Sequence, residues 1–166
     1  MPVDSYKYLD ILTRQMALSW IKMAVPGLIP WTPLSRPLAD CTVALVSSGG
    51  IAQKTDLPFD QESERKNPWW GDPTYRVIPR SVTEQDVEIY HLHINPNFAR
   101  QDLNCLLPIQ RLNELETERV IGKSAMLHYS YMGYILQPQT LLEESVPQII
   151  RSLRDERVDI VVLVPA

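Results

Sequence analysis

The stretch Val158-Asp159-Ile160-Val161-Val162-Leu163-Val164-Pro165-Ala166 decides the fold class. After Asp159 it is aliphatic and mostly β-branched, with no apolar/polar alternation. That is the mark of a strand buried on both faces, as in a parallel sheet covered by helices. Open α/β sheets place their ligand crevice beyond the carboxyl ends of such strands. The sequence ends at Ala166. The reading therefore expects either that this strand gives only its terminus to the crevice, or that the residues doing the chemistry begin at position 167.

Working back along the chain, Thr42-Val43-Ala44-Leu45-Val46 is a second short buried strand, and it runs into Ser47-Ser48-Gly49-Gly50. Tyr75-Arg76-Val77-Ile78-Pro79 reads as an edge strand, since its closing proline cannot donate to a ladder. Residues 87–93 alternate well enough for another strand, whereas residues 53–74 are polar and irregular around Trp69-Trp70. Pro108 opens a helix with Ile109, Leu112 and Leu115 on one face, ended by Val120-Ile121-Gly122. Thr140 caps a further helix carrying Leu141, Leu142, Val146, Ile149, Ile150 and Leu153. Pro147 must kink or split that helix, because it removes a donor and crowds the preceding turn. Strands interleaved with helices predict an α/β domain over residues 41–166, incomplete at its C-terminus. Its sheet is mostly parallel with flanking helices, flavodoxin-like or Rossmann-like.

Residues 1–40 have a different character and are expected to form an N-terminal helical and Pro-rich arm. Tyr8, Leu9, Leu12, Met16, Trp20 and Met23 recur at helical spacing, which predicts a helix over residues 5–24. Pro26-Gly27 ends it, and Pro30, Pro33 and Pro37 then hold the chain extended. Arg14 and Lys22 make a thin basic face for a membrane-surface helix. An arm lying against its own domain or a neighbouring subunit is the favoured expectation.

Composition narrows the partners. A formal charge of −4 and a pI near 5.4 argue against nucleic acid, which selects a basic face. There is no Lys/Arg run for anionic lipid, and no apolar run of the ~20 residues that membrane insertion needs. Cys41 and Cys105 are too few for a disulfide framework, and Met1-Pro2-Val3-Asp4 does not open a signal peptide. The expected home is the cytoplasm.

Three groups of residues can carry chemistry. The Ser47-Ser48-Gly49-Gly50 turn follows a strand, where main-chain N–H groups of Ser48, Gly49 and Gly50 can cradle an anion or simply close a turn. It has neither the glycine spacing nor the lysine of a nucleotide fingerprint. His91 and His93, two apart on the expected strand, would point to one face. They can serve a metal, with Asp102 and Asn104 as further ligands or supporting partners, or act as hydrogen-bonded structural histidines. His128-Tyr129-Ser130-Tyr131-Met132-Gly133 is either a pocket wall of donors or a buried strand-to-loop transition. Cys41 and Cys105 lack a basic neighbour to lower their pKa, so they read as packing residues.

These residues also carry a resemblance. Pro30-Trp31-Thr32-Pro33-Leu34-Ser35-Arg36-Pro37-Leu38 followed by Val43-Ala44-Leu45-Val46-Ser47-Ser48-Gly49-Gly50 resembles the start of the glycine/sarcosine/betaine reductase selenoprotein B family, related to the D-proline reductase subunit. Further matches follow in order: Tyr75-Arg76-Val77-Ile78-Pro79, His91-Leu92-His93, Asp102-Leu103-Asn104, Leu107-Pro108-Ile109-Gln110-Arg111-Leu112, Ile121-Gly122, the His128–Gly133 segment and the final stretch.

The resemblance implies a pyruvoyl-bearing partner subunit that holds a small amine or amino-acid substrate as a Schiff base. It also implies a selenocysteine or cysteine that splits the C–N bond. That residue is expected directly after Ala166, so this chain supplies no cofactor of its own. An in-frame UGA read as a stop would end the polypeptide there. His91, His93 and His128 are then the candidate catalytic residues lining a substrate pocket, with Ser48, Gly49, Gly50 and Tyr129 as substrate-binding candidates. The alternatives are a non-catalytic interaction or assembly protein on the same scaffold, and a small metal-binding protein built on His91 and His93. A bare final strand also predicts self-association.

Overall fold

The computed structural model describes residues 9–23, 27, 31–67 and 69–166. It divides into two units, Met1–Pro33 and Leu34–Ala166.

In the first unit, helix α1 spans Ile11–Met23. Asp10 caps it, its Oδ1 accepting the Leu12 and Thr13 N–H groups at 3.0 Å each. A carboxylate there satisfies two orphan donors and faces the positive end of the helix dipole. The start of the expected helix, residues 5–8, and Ala24 lie outside the described residues.

The second unit is an α/β fold. Its elements are β1 Thr42–Ser47, β2 Ile51–Gln53, α2 Gln61–Lys66, β3 Tyr75–Pro79, β4 Val87–Ile89, α3 Pro96–Gln101, α4 Ile109–Thr117, β5 Lys123–Ser124, β6 Leu127–Tyr131, α5 Val146–Asp155 and β7 Ile160–Val164. β1 pairs parallel with β7 along Val43–Ser47. It also pairs parallel with β5 at Thr42 and Val43, and with β6 at Val46 and Ser47. β3 lies antiparallel on β6. The sheet is mixed and mostly parallel, as the sequence predicts, with β3 at the edge where its proline is harmless. β2 and β4 form a separate antiparallel pair. β2, unexpected from the sequence, directly precedes the stretch that reads as irregular and overlaps it only at Gln53.

Alternate residues of β1 enter opposite cores, as the strand period of two requires. Val43 and Leu45 join Ile78, Ile109, Leu112 and their neighbours on the α3/α4 side. Ala44 and Val46 join Tyr129, Ile149 and Leu153 on the α5 side. Burying each large aliphatic side chain here contributes roughly 1.5–3 kcal/mol.

Two expectations need correction. The last strand forms and pairs where expected, but it is not buried on both faces: Val161, Val162 and Leu163 are 36, 41 and 72% exposed. Among the described residues β7 pairs with β1 alone, so its outer edge and much of its surface lack a neighbour. The second concerns residues 87–93: the strand stops at Ile89, and His91 and His93 lie in the turn beyond it.

Pro147 does act on its helix. A π turn over Leu141–Ser145 precedes α5, which places the proline in its first turn. The wider turn absorbs the backbone bond that proline cannot make. No helix among the described residues is long and apolar enough to cross a membrane.

Candidate active site

The carboxyl ends of β1 and β7 meet in parallel register, Ser47 opposite Val164. Just beyond them the Ser48 N–H donates to the Val164 carbonyl at 3.0 Å. The Ala166 N–H donates to Ser48 Oγ at 2.8 Å. The final strand thus delivers its terminus to the turn that follows β1.

That turn is not an empty anion cradle. Besides the Ser48 bond, the Gly49 N–H donates to Ser47 Oγ at 3.0 Å, and Ser47 Oγ itself donates to the Leu106 carbonyl at 2.7 Å. The Gly50 N–H donates to the Tyr131 carbonyl at 2.9 Å. The three N–H groups expected to hold a ligand all bond within the fold. Gly50 sits at φ +61°, and a Cβ on it would lie 2.6 Å from Met132 Sδ, so glycine alone suits the position.

His91 does reach this turn. It is 7% exposed. A Cβ placed on Gly133 would lie 2.7 Å from His91 Nε2 and 2.8 Å from the Ser48 carbonyl oxygen. The bare glycine is what lets the imidazole edge and the β1 turn come together. His91 Nδ1 accepts the His93 N–H at 3.1 Å, while its buried Nε2 has no partner in the protein. Burial, then the neighbouring His93, lowers the pKa of His91, so the ring is held neutral. A cavity of about 430 Å³ opens beside it, lined by Gln61, Arg65, Tyr90, Leu92 and Arg100 among others. A larger cavity of about 620 Å³ between β3 and residues 53–60 holds none of the candidate residues.

His93 stands next to His91 but faces elsewhere. The two rings are 6.0 Å apart and perpendicular, not side by side on a strand. His93 Nε2 lies 3.1 Å from Glu64 Oε1, with the histidine side chain half exposed and the glutamate buried. Burial raises the pKa of Glu64, and the bond to His93 works against that rise. Glu64 is a residue that sequence reasoning missed. It sits in Gln61–Lys66, a helix inside the stretch that reads as polar and irregular. The available signal was Asp60, whose side chain caps the helix by accepting the Ser63 N–H.

His128 and Tyr129 lie apart from this group. His128 is fully buried, its Nδ1 accepting the Leu45 N–H at 3.1 Å. Burial, helped by the Arg80 charge, lowers its pKa to about 4. Tyr129 is 1% exposed and packs with Ala44, Val46, Ile149 and Leu153. Both sit inside the sheet's packing instead of forming a pocket wall. Asp102 and Asn104 bond to each other, and Asn104 accepts the Gln110 N–H, so they close the turn before α4. Among the described residues no three His, Cys, Asp or Glu side chains gather as a metal site. Cys41 is buried and Cys105 exposed. Both thiols have raised pKa values, desolvation being the largest cause, which makes them poor nucleophiles.

Residues 19–166 match the family described as glycine/sarcosine/betaine reductase selenoprotein B. The chain is 33% identical over 133 residues to the D-proline reductase subunit gamma of Acetoanaerobium sticklandii, covering 80% of this chain and 52% of that one. It is 32% identical over 105 residues to the glycine reductase complex component B subunit gamma of Carboxydothermus hydrogenoformans, covering 63% of this chain and 23% of the relative. The corresponding subunit of Symbiobacterium thermophilum is 30% identical over 105 residues, 63% of this chain and 24% of that one. The chain therefore spans about half the length of the first relative and about a quarter of the other two. No solved structure matches it significantly. With the match running through β1, the His91 turn and β7, the chain belongs to the glycine/sarcosine/betaine reductase selenoprotein B family.

Proposed function

We propose that this chain forms the scaffold and part of the substrate site of a selenoprotein B-type reductase subunit, working with protein partners on a small amine or amino acid. One observation carries the reading. The carboxyl ends of β1 and β7, the Ser48 turn and the unpartnered Nε2 of His91 converge at the crevice end of the sheet, where ligands of open α/β folds bind. In this reading the groups that do the covalent chemistry are a selenolate or thiolate following the β7 terminus and a pyruvoyl carbonyl on a partner subunit. The residues of this chain orient and shield. Ser48 fixes the β7 terminus through the Ala166 N–H. Gly133 leaves room for His91, and the neutral His91 offers one N–H donor in a site sheltered from water. The open face and edge of β7 support a second role, as a surface on which further protein packs.

Iodoacetate mapping on native protein from the source cells tests the reading. Alkylation at a residue beyond Ala166, in a product heavier than 19.1 kDa, is expected, with Cys41 and Cys105 left largely unmodified. A native mass of 19.1 kDa, or label confined to Cys105, would turn the assignment toward a non-catalytic assembly protein.

A further inference from the structure

Glu64 is the one buried side chain of α2, and a carboxyl desolvated that far is costly without partners. Its Oε1 meets His93 Nε2 at 3.1 Å, while its buried Oε2 has no partner in the protein. The other side of the His93 ring rests on Tyr134, 4.1 Å between centroids at 42°. The ring is thereby fixed from two directions, and with it the turn that carries it. The main-chain N–H of that same residue donates to His91 Nδ1 at 3.1 Å. A ring nitrogen that accepts carries no proton, so neutral His91 must bear its proton on Nε2. That atom is buried, has no partner in the protein, and lies beside Gly133. A buried donor left unmatched at a sheet's ligand end calls for an acceptor from outside the chain.

We propose that Glu64 and His93 are positioning residues for His91: they hold the turn that fixes its Nε2–H tautomer, so that the N–H is presented as a donor to an acceptor atom bound at the carboxyl end of β1. The tautomer is a property of this chain alone. Its use rests on the reading of this end of the sheet as the reaction site. Glu64 and His93 need not touch a substrate. Their effect passes through one main-chain N–H to the imidazole that does.

Long-range ¹H–¹⁵N spectra of protein labelled at histidine report which ring nitrogen is protonated. The wild type should show His91 as a single neutral Nε2–H tautomer. Glu64→Ala and His93→Ala should each lose that single form and give a tautomer mixture, while Glu64→Gln, which keeps an oxygen for His93, should retain it. A wild-type His91 protonated on Nδ1 overturns the proposal. So does a Glu64→Ala protein that melts lower with its His91 signals unmoved, since that is what a merely structural glutamate would give. If Glu64→Ala does not fold, His93→Ala carries the test. The reading of the site fails differently: His91→Asn leaving turnover of the reconstituted reductase complex at the wild-type level would overturn that reading while the tautomer result stood.

Discussion

His128 Nδ1 accepts the Leu45 main-chain N–H across the sheet at 3.1 Å. β5 pairs with the start of β1 and β6 with its end, and this side-chain bond fills the gap between them. A buried main-chain donor in mid-sheet must be satisfied, and here an imidazole does what a carbonyl does elsewhere in the ladder.

The burial of this imidazole, with the Arg80 charge nearby, makes stability depend on pH. The His128 pKa falls from about 6.5 in the unfolded chain to about 4 in the folded one. Between those values the unfolded chain takes up a proton and the folded one does not, so stability rises with pH across that window. The contribution is fully present above pH ~6.5 and lost toward pH 4, about 3 kcal/mol in all. His128→Gln keeps an acceptor but cannot titrate, so urea melts at pH 4.5 and 7 should differ less than in the wild type. His91, whose pKa is also lowered, leaves a residual slope of the same sign. His128→Leu should cost a further 1–3 kcal/mol or so at neutral pH, because the Leu45 N–H loses its partner.

Gly133→Ala should move His91. The added Cβ would meet His91 Nε2 at 2.7 Å and the Ser48 carbonyl at 2.8 Å, and the latter is backbone that yields little. A loss of about 1–3 kcal/mol is expected, together with changed His91 ring resonances. A Gly133→Ala protein with wild-type melting and an unmoved His91 would mean the two do not approach as described.

Glu116→Gln should loosen the join between β3, α4 and β5. Glu116 Oε2 accepts the Ser124 N–H at 2.8 Å and an Arg80 N–H at 2.9 Å. The Ser124 bond, then Arg80, holds its pKa below the usual glutamate range against some desolvation. Its stabilisation is present above the ordinary carboxylate pKa and lost as pH falls through the lowered one. The variant should be less stable by about 1 kcal/mol at pH 7, and the difference should vanish in acid. A constant difference from pH 7 to pH 2 would assign the loss to shape instead of charge.

The open β7 edge should drive self-association. Leu163 is 72% exposed and Val162 41%, on an edge strand without a charge or proline within Ile160–Val164 to discourage pairing. Light scattering should show mass growing with concentration, and Leu163→Lys should suppress the growth. A wild-type protein that stays monomeric at high concentration would rule this out.

The parts of this fold legible in the sequence are those where one physical demand dominates. Thr42–Ser47 and Ile160–Val164 are aliphatic runs that can be little else but strands, and Pro147 announces its helix defect. What the sequence hides are local bonds that override pattern. Residues 87–93 alternate, yet the strand ends at Ile89 because His91 Nδ1 captures the His93 N–H in place of a neighbouring strand. Ser48, Gly49 and Gly50 look like free donors until their acceptors arrive from β7, Ser47 and β6. Glu64 hides in a charged hexapeptide whose other residues face solvent or lie only partly covered. His91 is legible as chemistry, while its partners are long-range and therefore not.

The π turn ahead of Pro147 has a geometric effect on the whole segment. Leu141, Ser145, Ile149 and Leu153 are its buried residues, recurring every four positions. At 3.6 residues per turn a step of four overshoots by about 40°, and three steps would swing the contact line by about 120° around the axis. One wider turn subtracts rotation over the first of these steps, which narrows the swing of the four side chains along about 18 Å of helix. Ser145 can then donate to the Pro73 carbonyl at 2.7 Å while Ile149 and Leu153 remain on the sheet. The proline works as a phase corrector, fitting a four-residue repeat to a helix whose natural pitch would unwind it.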